Sequence, residues 1–218
     1  MLRLATLAAG ATMLFALFSC AKEPAIEYRL TPEQLAWQGY KMGEVLRFGN
    51  ARPGQERTYQ VVHIKDTLET QFMGTVVALP FPRKADPLYQ QIKVRIERTD
   101  TVNYGYYALE LSRNYDPVNV NQTDFRAQAE WAGFYPIRLP LDEVIAGQPI
   151  DTLYYPATTL LPAIVLGATN YQQVIRIINL DTRTSNPGHK RTRAVYYARG
   201  KGVVAFEEDG TGLWYRLP

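Results

Sequence analysis

Two histidines and a single cysteine bound the chemistry open to this 218-residue chain. His63 falls in a stretch of period-two alternation, on the side of Tyr59, Val61 and Lys65, with no nucleophile or orienting acid beside it in sequence. It reads as a histidine on a strand face, not as a base. His189 stands next to Lys190, Arg191 and Arg193. Such a basic run is ordinary at a solvated hairpin tip, and its charge would also suit lipid headgroups, phosphate or glycan acids. Asp116, Asn119, Asn121 and Asp124 gather oxygen ligands in one loop, without the spacing or central glycine of an EF-hand. Glu207, Glu208 and Asp209 read as a hairpin turn; the two carboxylates of a glycosidase would need separate positions across a cleft. No Gly-x-Ser-x-Gly elbow, His-Glu-x-x-His, P-loop or dinucleotide fingerprint occurs. One cysteine forms no intramolecular disulfide and no Cys-cluster metal site. No catalytic residue, metal site or cofactor is assigned, and the reading leans away from an enzyme.

Aromatic residues are the remaining candidates. The chain holds 15 tyrosines and three tryptophans. Strands select aromatics for packing, but aromatic faces also bind apolar ligands and sugar rings. Tyr104, Tyr106, Trp131 and Trp214 are the candidate ligand contacts. Three local sequences, Asp66-Thr67-Leu68, Asp100-Thr101-Val102 and Asp151-Thr152-Leu153, resemble the acceptor of Bacteroidota O-glycosylation, an Asp followed by Ser or Thr and an apolar residue. That resemblance makes Thr67, Thr101 and Thr152 candidate acceptors, all at expected strand ends. Asp-Thr is also good turn chemistry in its own right.

The N-terminus reads as an address. Arg3 precedes an apolar run from Leu4 to Phe18, too short for a comfortable transmembrane helix and suited to a secretory signal. The run ends Leu17-Phe18-Ser19-Cys20, which resembles the bacterial lipoprotein lipobox. Leu17 matches its aliphatic position, Ser19 its small position and Cys20 its cysteine, while Phe18 replaces the usual small or aliphatic residue. The resemblance implies a signal peptide over residues 1–19, helical over about residues 3–18, cleavage before Cys20, and a diacylglyceryl thioether (with palmitate-type acylation) on its sulfur. Two or more acyl chains anchor stably. Loss of Arg3 takes the formal charge from +3 to +2, too weak to argue for nucleic acid or for electrostatic docking on anionic lipid. Cys20-Ala21-Lys22-Glu23 lacks the Asp of inner-membrane retention and partly resembles the surface-export signal of Bacteroidota lipoproteins. The expected location is the outer membrane, with the leaflet left open.

The elements that position these residues are mostly strands. After a tether over residues 20–30, Thr31-Pro32-Glu33-Gln34 reads as a capped helix start, with a helix of one or two turns over residues 32–38. Period-two alternation then dominates, with strands at residues 44–48, 58–66, 73–81, 91–98, 104–113, 125–139 and 171–180. Pro136 should bulge or end the strand that contains it. Residues 193–217 read as a three-stranded meander with turns at Gly200-Lys201-Gly202 and around Gly210. Residues 141–165 give a mixed pattern, a helical turn at 142–146 and an apolar stretch broken by Pro162. One all-β domain over residues 31–218 follows, a single antiparallel β-sandwich or barrel-like fold with one short N-terminal helix. The run from Tyr196 to Phe206, its Gly-x-Gly turn and Trp214 resemble the ending of uncharacterised Bacteroidota outer-membrane lipoproteins, a group that brings no activity with it. The expected function is a lipid-anchored, non-catalytic binding or structural module of the envelope, held to the membrane through Cys20. Its alternatives are a carrier of a lipophilic ligand in a curved sheet and a glycan-active hydrolase; the partner is an envelope protein, a lipid or a glycan.

Overall fold

The computed structural model describes residues 24–50, 52, 54–71, 86–100, 105–115, 123–181 and 190–218. In chain order the strands are β1 (Glu27–Tyr28), β2 (Val45–Asn50), β3 (Glu56–Thr70), β4 (Leu88–Arg98), β5 (Gly105–Tyr115), β6 (Thr123–Trp131), β7 (Phe134–Arg138), β8 (Thr158–Leu166), β9 (Thr169–Ile178), β10 (Thr192–Ala198), β11 (Gly202–Glu208) and β12 (Gly212–Arg216). Two short helices, α1 (Pro32–Leu35) and α2 (Leu141–Ala146), complete the described elements. The sheet runs β7-β6-β5-β4-β3-β2-β12-β11-β10-β9-β8, antiparallel throughout, and curls into a half-barrel. β1 lies outside this path and pairs parallel with the start of β4. The chain is all-β, as its alternation implies.

Local chemistry sets several of these boundaries. At α1 the Gln34 N–H donates to Thr31 Oγ1 at 3.3 Å, and the Thr31 N–H donates to Gln34 Oε1 at 2.9 Å. That is the expected capping box, with Pro32 in the first turn. The meander β10–β11–β12 forms as expected, and Gly200 and Gly202 take φ of 67° and 73°. At Gly202 a Cβ would lie 2.3 Å from Tyr40 Cζ, so both backbone and space demand glycine.

Three sequence expectations change. Residues 125–139 form two strands, not one: Ala132 and Gly133 take φ of 45° and 82°, the geometry of a tight hairpin turn between β6 and β7. Pro136 sits where the β6–β7 register shifts, between the Ala129–Ile137 and Trp131–Phe134 pairs, the bulge expected of it. Pro162, by contrast, does not break its segment. β8 is an edge strand, and it keeps register with β9 on both sides of Pro162. The face assignment around His63 fails because β3 has a register shift between Val61 and His63. Tyr59 and Val61 point into the core, Ile64 packs against it next, and His63 is exposed. An extra residue in a strand re-aims every side chain beyond it. The expected strand at residues 73–81 and the signal helix lie outside the described residues.

The concave side of the sheet is filled. Trp131 is fully buried, with ring centroids at 5.4 Å from Phe48, 5.1 Å from Tyr59, 5.6 Å from Tyr106 and 5.5 Å from Phe206. Edge-to-face and tilted contacts of this kind add about 0.5–1.5 kcal/mol per pair beyond area burial. A second cluster covers the outer face of β10–β12, where Leu166 and Tyr171 of the β8–β9 hairpin meet Ala198, Val204, Ala205 and Tyr215. The hairpin bends at Gln173, whose φ is 50°, opposite Pro162.

Strand polarity gives the half-barrel two ends. At one, the tether end, lie β1, the start of β4, the end of β3 and both helices. There Arg113 donates to Gln34 Oε1 at 3.1 Å and Gln34 donates to Asp142 Oδ1 at 3.2 Å, joining β5, α1 and α2. At the other end lie the β6–β7 turn, the end of β9 and the start of β10.

Candidate functional site

The two free edges of the curled sheet approach each other at the second end, and the seam between them is open. A cleft of about 410 Å³ lies there. One wall is the β6–β7 turn and β7, from Ala132 to Arg138; the other is the ends of β9 and β10 and the segment leading into β8. Thr192 ties the walls together: its hydroxyl donates to the Ala132 carbonyl at 3.2 Å. The volume is in the range of small-ligand sites.

Tyrosines and cations dominate the rim. Tyr135 and Tyr154 leave 61% and 66% of their surface in solvent, and Tyr155 lies beside them, half-buried. Arg138, Lys190 and Arg191 bring three positive charges against the one carboxylate of the described lining, Asp181. Arg138 and Lys190 have no ion-pair partner among the described residues. Arg191 donates to the Asn179 carbonyl at 2.7 Å and lies 4.0 Å from Asp209, while its buried Nε has no hydrogen-bond partner. Burial first, then the carboxylates of Glu143, Asp142 and Asp124, push the Tyr155 phenol up, so it stays a neutral donor. Among the described residues, two of the three non-glycine positions with positive φ stand at this cleft: Ala132 at 45° and Ala157, between Pro156 and Thr158, at 56°. Each costs about 1–3 kcal/mol, and such strain concentrates where a surface is shaped for binding.

The residues singled out in the sequence fall elsewhere. Tyr106, Trp131 and Trp214 are core side chains, not surface contacts, with exposures of 7%, 0% and 3%. Tyr104, Thr101, Cys20 and His189 lie outside the described residues. Thr67 lies inside β3, not at a strand end, is half-buried, and donates to Glu69 Oε1 at 2.9 Å. Thr152 is exposed in a turn where Asp151 accepts from the Leu153 N–H at 2.8 Å. Glu208 does not belong to an exposed turn: it is buried and receives Arg57 in a bidentate pair at 2.8 and 2.5 Å. Asp124 pairs with Arg126, and no metal-binding group of three acidic, His or Cys side chains forms among the described residues.

Sequence reasoning reached Lys190 and Arg191 as a basic cluster but missed the tyrosines. The local mark was there: Tyr135-Pro136 and Tyr154-Tyr155-Pro156 set aromatics beside prolines. Proline next to an aromatic marks a surface segment that cannot hide its ring in a central strand. Comparison with known proteins returns no matching family model, no matching curated protein and no matching solved structure.

Proposed function

We propose that the chain is a lipid-anchored envelope protein of the outer membrane whose β domain is a non-catalytic binding module, and that its ligand is an acidic saccharide held in the seam cleft. The observation that carries this reading is the pairing, on one rim, of exposed tyrosines with the cations Arg138 and Lys190, which have no ion-pair partner among the described residues. Tyrosine faces suit the apolar faces of sugar rings, and a guanidinium suits a carboxylate in bidentate geometry. The filled concave face supports a binding module over a carrier, because Trp131 and its aromatic neighbours occupy the space that a lipophilic cargo would need. The anchor reading rests on the lipobox at Cys20, and Cys20→Ala should leave the protein unacylated and out of the membrane fraction.

The test is an immobilised panel of acidic and neutral oligosaccharides probed with the purified protein. Binding should be confined to the acidic members and should fall about tenfold in Tyr154→Ala, the loss of roughly 1.4 kcal/mol expected for one aromatic contact. Equal retention on neutral members, or no change in Tyr154→Ala, would remove the reading.

A further inference from the structure

We infer that the cleft faces away from the anchoring bilayer, so that its anionic ligand is presented from the aqueous side and is not a headgroup of the membrane that holds the protein. This inference rests on the lipid-anchor reading at Cys20 and deepens the cleft reading.

The argument is one of strand direction and reach. β1 runs parallel to β4, with Glu27 beside Leu88 and Tyr28 beside Tyr89. The residues before Glu27 therefore lead out past the start of β4, at the end opposite the cleft. That exit is held in place: the Leu88 N–H donates to the Ile26 carbonyl at 2.8 Å, the Leu30 N–H donates to Gln90 Oε1 at 2.9 Å, and Tyr28 stacks on Tyr89 at 5.2 Å. From Cys20 to Ile26 is six residues. Fully extended they span at most about 20 Å.

The β6–β7 end of the cleft lies further than that in the other direction, while Arg138, level with Lys93 through Gln128 and Glu110, stands about 17 Å along. β6 ends at Trp131, three residues beyond the Glu110–Gln128 pair, which places it level with Tyr107 and hence with Arg95 of β4. Arg95 is seven residues along β4 from Leu88, about 23 Å at a strand's rise. To bring the cleft to the bilayer, the tether would have to reverse at Ile26 and run the full flank of the sheet, with no length left to place the acyl chains in the membrane. At the other end, Lys190 beside the start of β10 is left for a water-borne partner, with Arg138 further along β7 on the same cleft.

The experiment is proximity quenching on vesicles. The full chain is produced in a lipoprotein-processing host as Thr70→Cys or as Leu153→Cys, and intact mass records the state of Cys20. Thr70 ends β3 at the tether end; Leu153 is 84% exposed beside the cleft. With Cys20 acylated, the introduced thiol takes a fluorophore, and the protein is reconstituted into phosphatidylcholine vesicles carrying a headgroup-proximal nitroxide lipid. Quenching at position 70 should exceed that at position 153 at least about threefold. Equal quenching, or more at position 153, overturns the inference. If the mass shows Cys20 unacylated, the anchor reading fails, and with it the inference that depends on it. Loss of saccharide binding with the quenching pattern intact would remove the ligand class and leave the orientation standing.

Discussion

Arg57 and Glu208 are the clearest case of a residue pair that sequence alone could not join. They are 151 positions apart, both are buried, and the guanidinium lies 4.1 Å from the Trp214 ring centroid. Thr211 donates to Glu208 Oε2 at 2.7 Å and accepts from Trp214 Nε1 at 3.0 Å, so the Glu208 carboxylate and the Trp214 indole N–H are both held. Breaking one side of such a pair strands a buried charge. Glu208→Ala should therefore cost about 3–5 kcal/mol in denaturant titration, whereas the double replacement Arg57→Met with Glu208→Leu should cost far less. A loss below about 1 kcal/mol in the single variant would show that water reaches Arg57. Glu208 was legible only as one acid in a turn-like run, because a carboxylate's burial depends on a partner that the sheet brings from β3. The same limit applied to Trp131 and Trp214. An aromatic residue in an alternating strand gives no sign of whether its face is the filled one, and here both fill the core.

At the scale of elements, turns were the most legible feature and strand interruptions the least. Thr31 and Gln34, Gly200 and Gly202, and the β10–β12 meander all follow from residue types whose backbone preference is local. The bulge at His63, the turn at Ala132 and the unbroken ladder past Pro162 were not legible, since each is decided by a neighbouring strand. Gly202 combines the two kinds of constraint. Its φ of 73° is local, but the Tyr40 ring that would meet a Cβ comes from the segment after α1, and Tyr40 Oη accepts the Val203 N–H at 2.9 Å. Gly202→Ala should lose at least about 2 kcal/mol, through backbone strain and the displaced ring. Gly210→Ala, with a similar φ of 76° but open space around its Cβ, should lose less. Equal losses in thermal melts would mean that Tyr40 moves aside without cost.

The whole molecule holds its tyrosines in two environments, and alkali separates them. Burial raises the phenols of Tyr40, Tyr106 and Tyr197 above their ordinary value near 10. With the folded pKa above the unfolded one, their contribution to stability is complete below pH 10. Above it, the unfolded chain ionises first and stability falls. Three such groups together give a slope of about 4 kcal/mol per pH unit. Urea midpoints should be flat with respect to these groups below pH 10 and fall steeply above it, and absorbance at 295 nm should rise in step with unfolding. A flat midpoint to pH 11.5 would contradict the packing described. The all-β class was legible in the alternation, but the cleft was not, because it exists only where two sheet edges far apart in sequence come together. That cleft carries the central claim, and calorimetric titration with a uronic-acid trisaccharide and its carboxyl-reduced neutral counterpart tests it most directly. The acidic sugar should bind wild type at least about tenfold more tightly than the neutral one, and Arg138→Gln with Lys190→Gln should erase that preference while leaving the urea midpoint unchanged. Equal affinities for the two sugars, or a preference that survives the double variant, would contradict it.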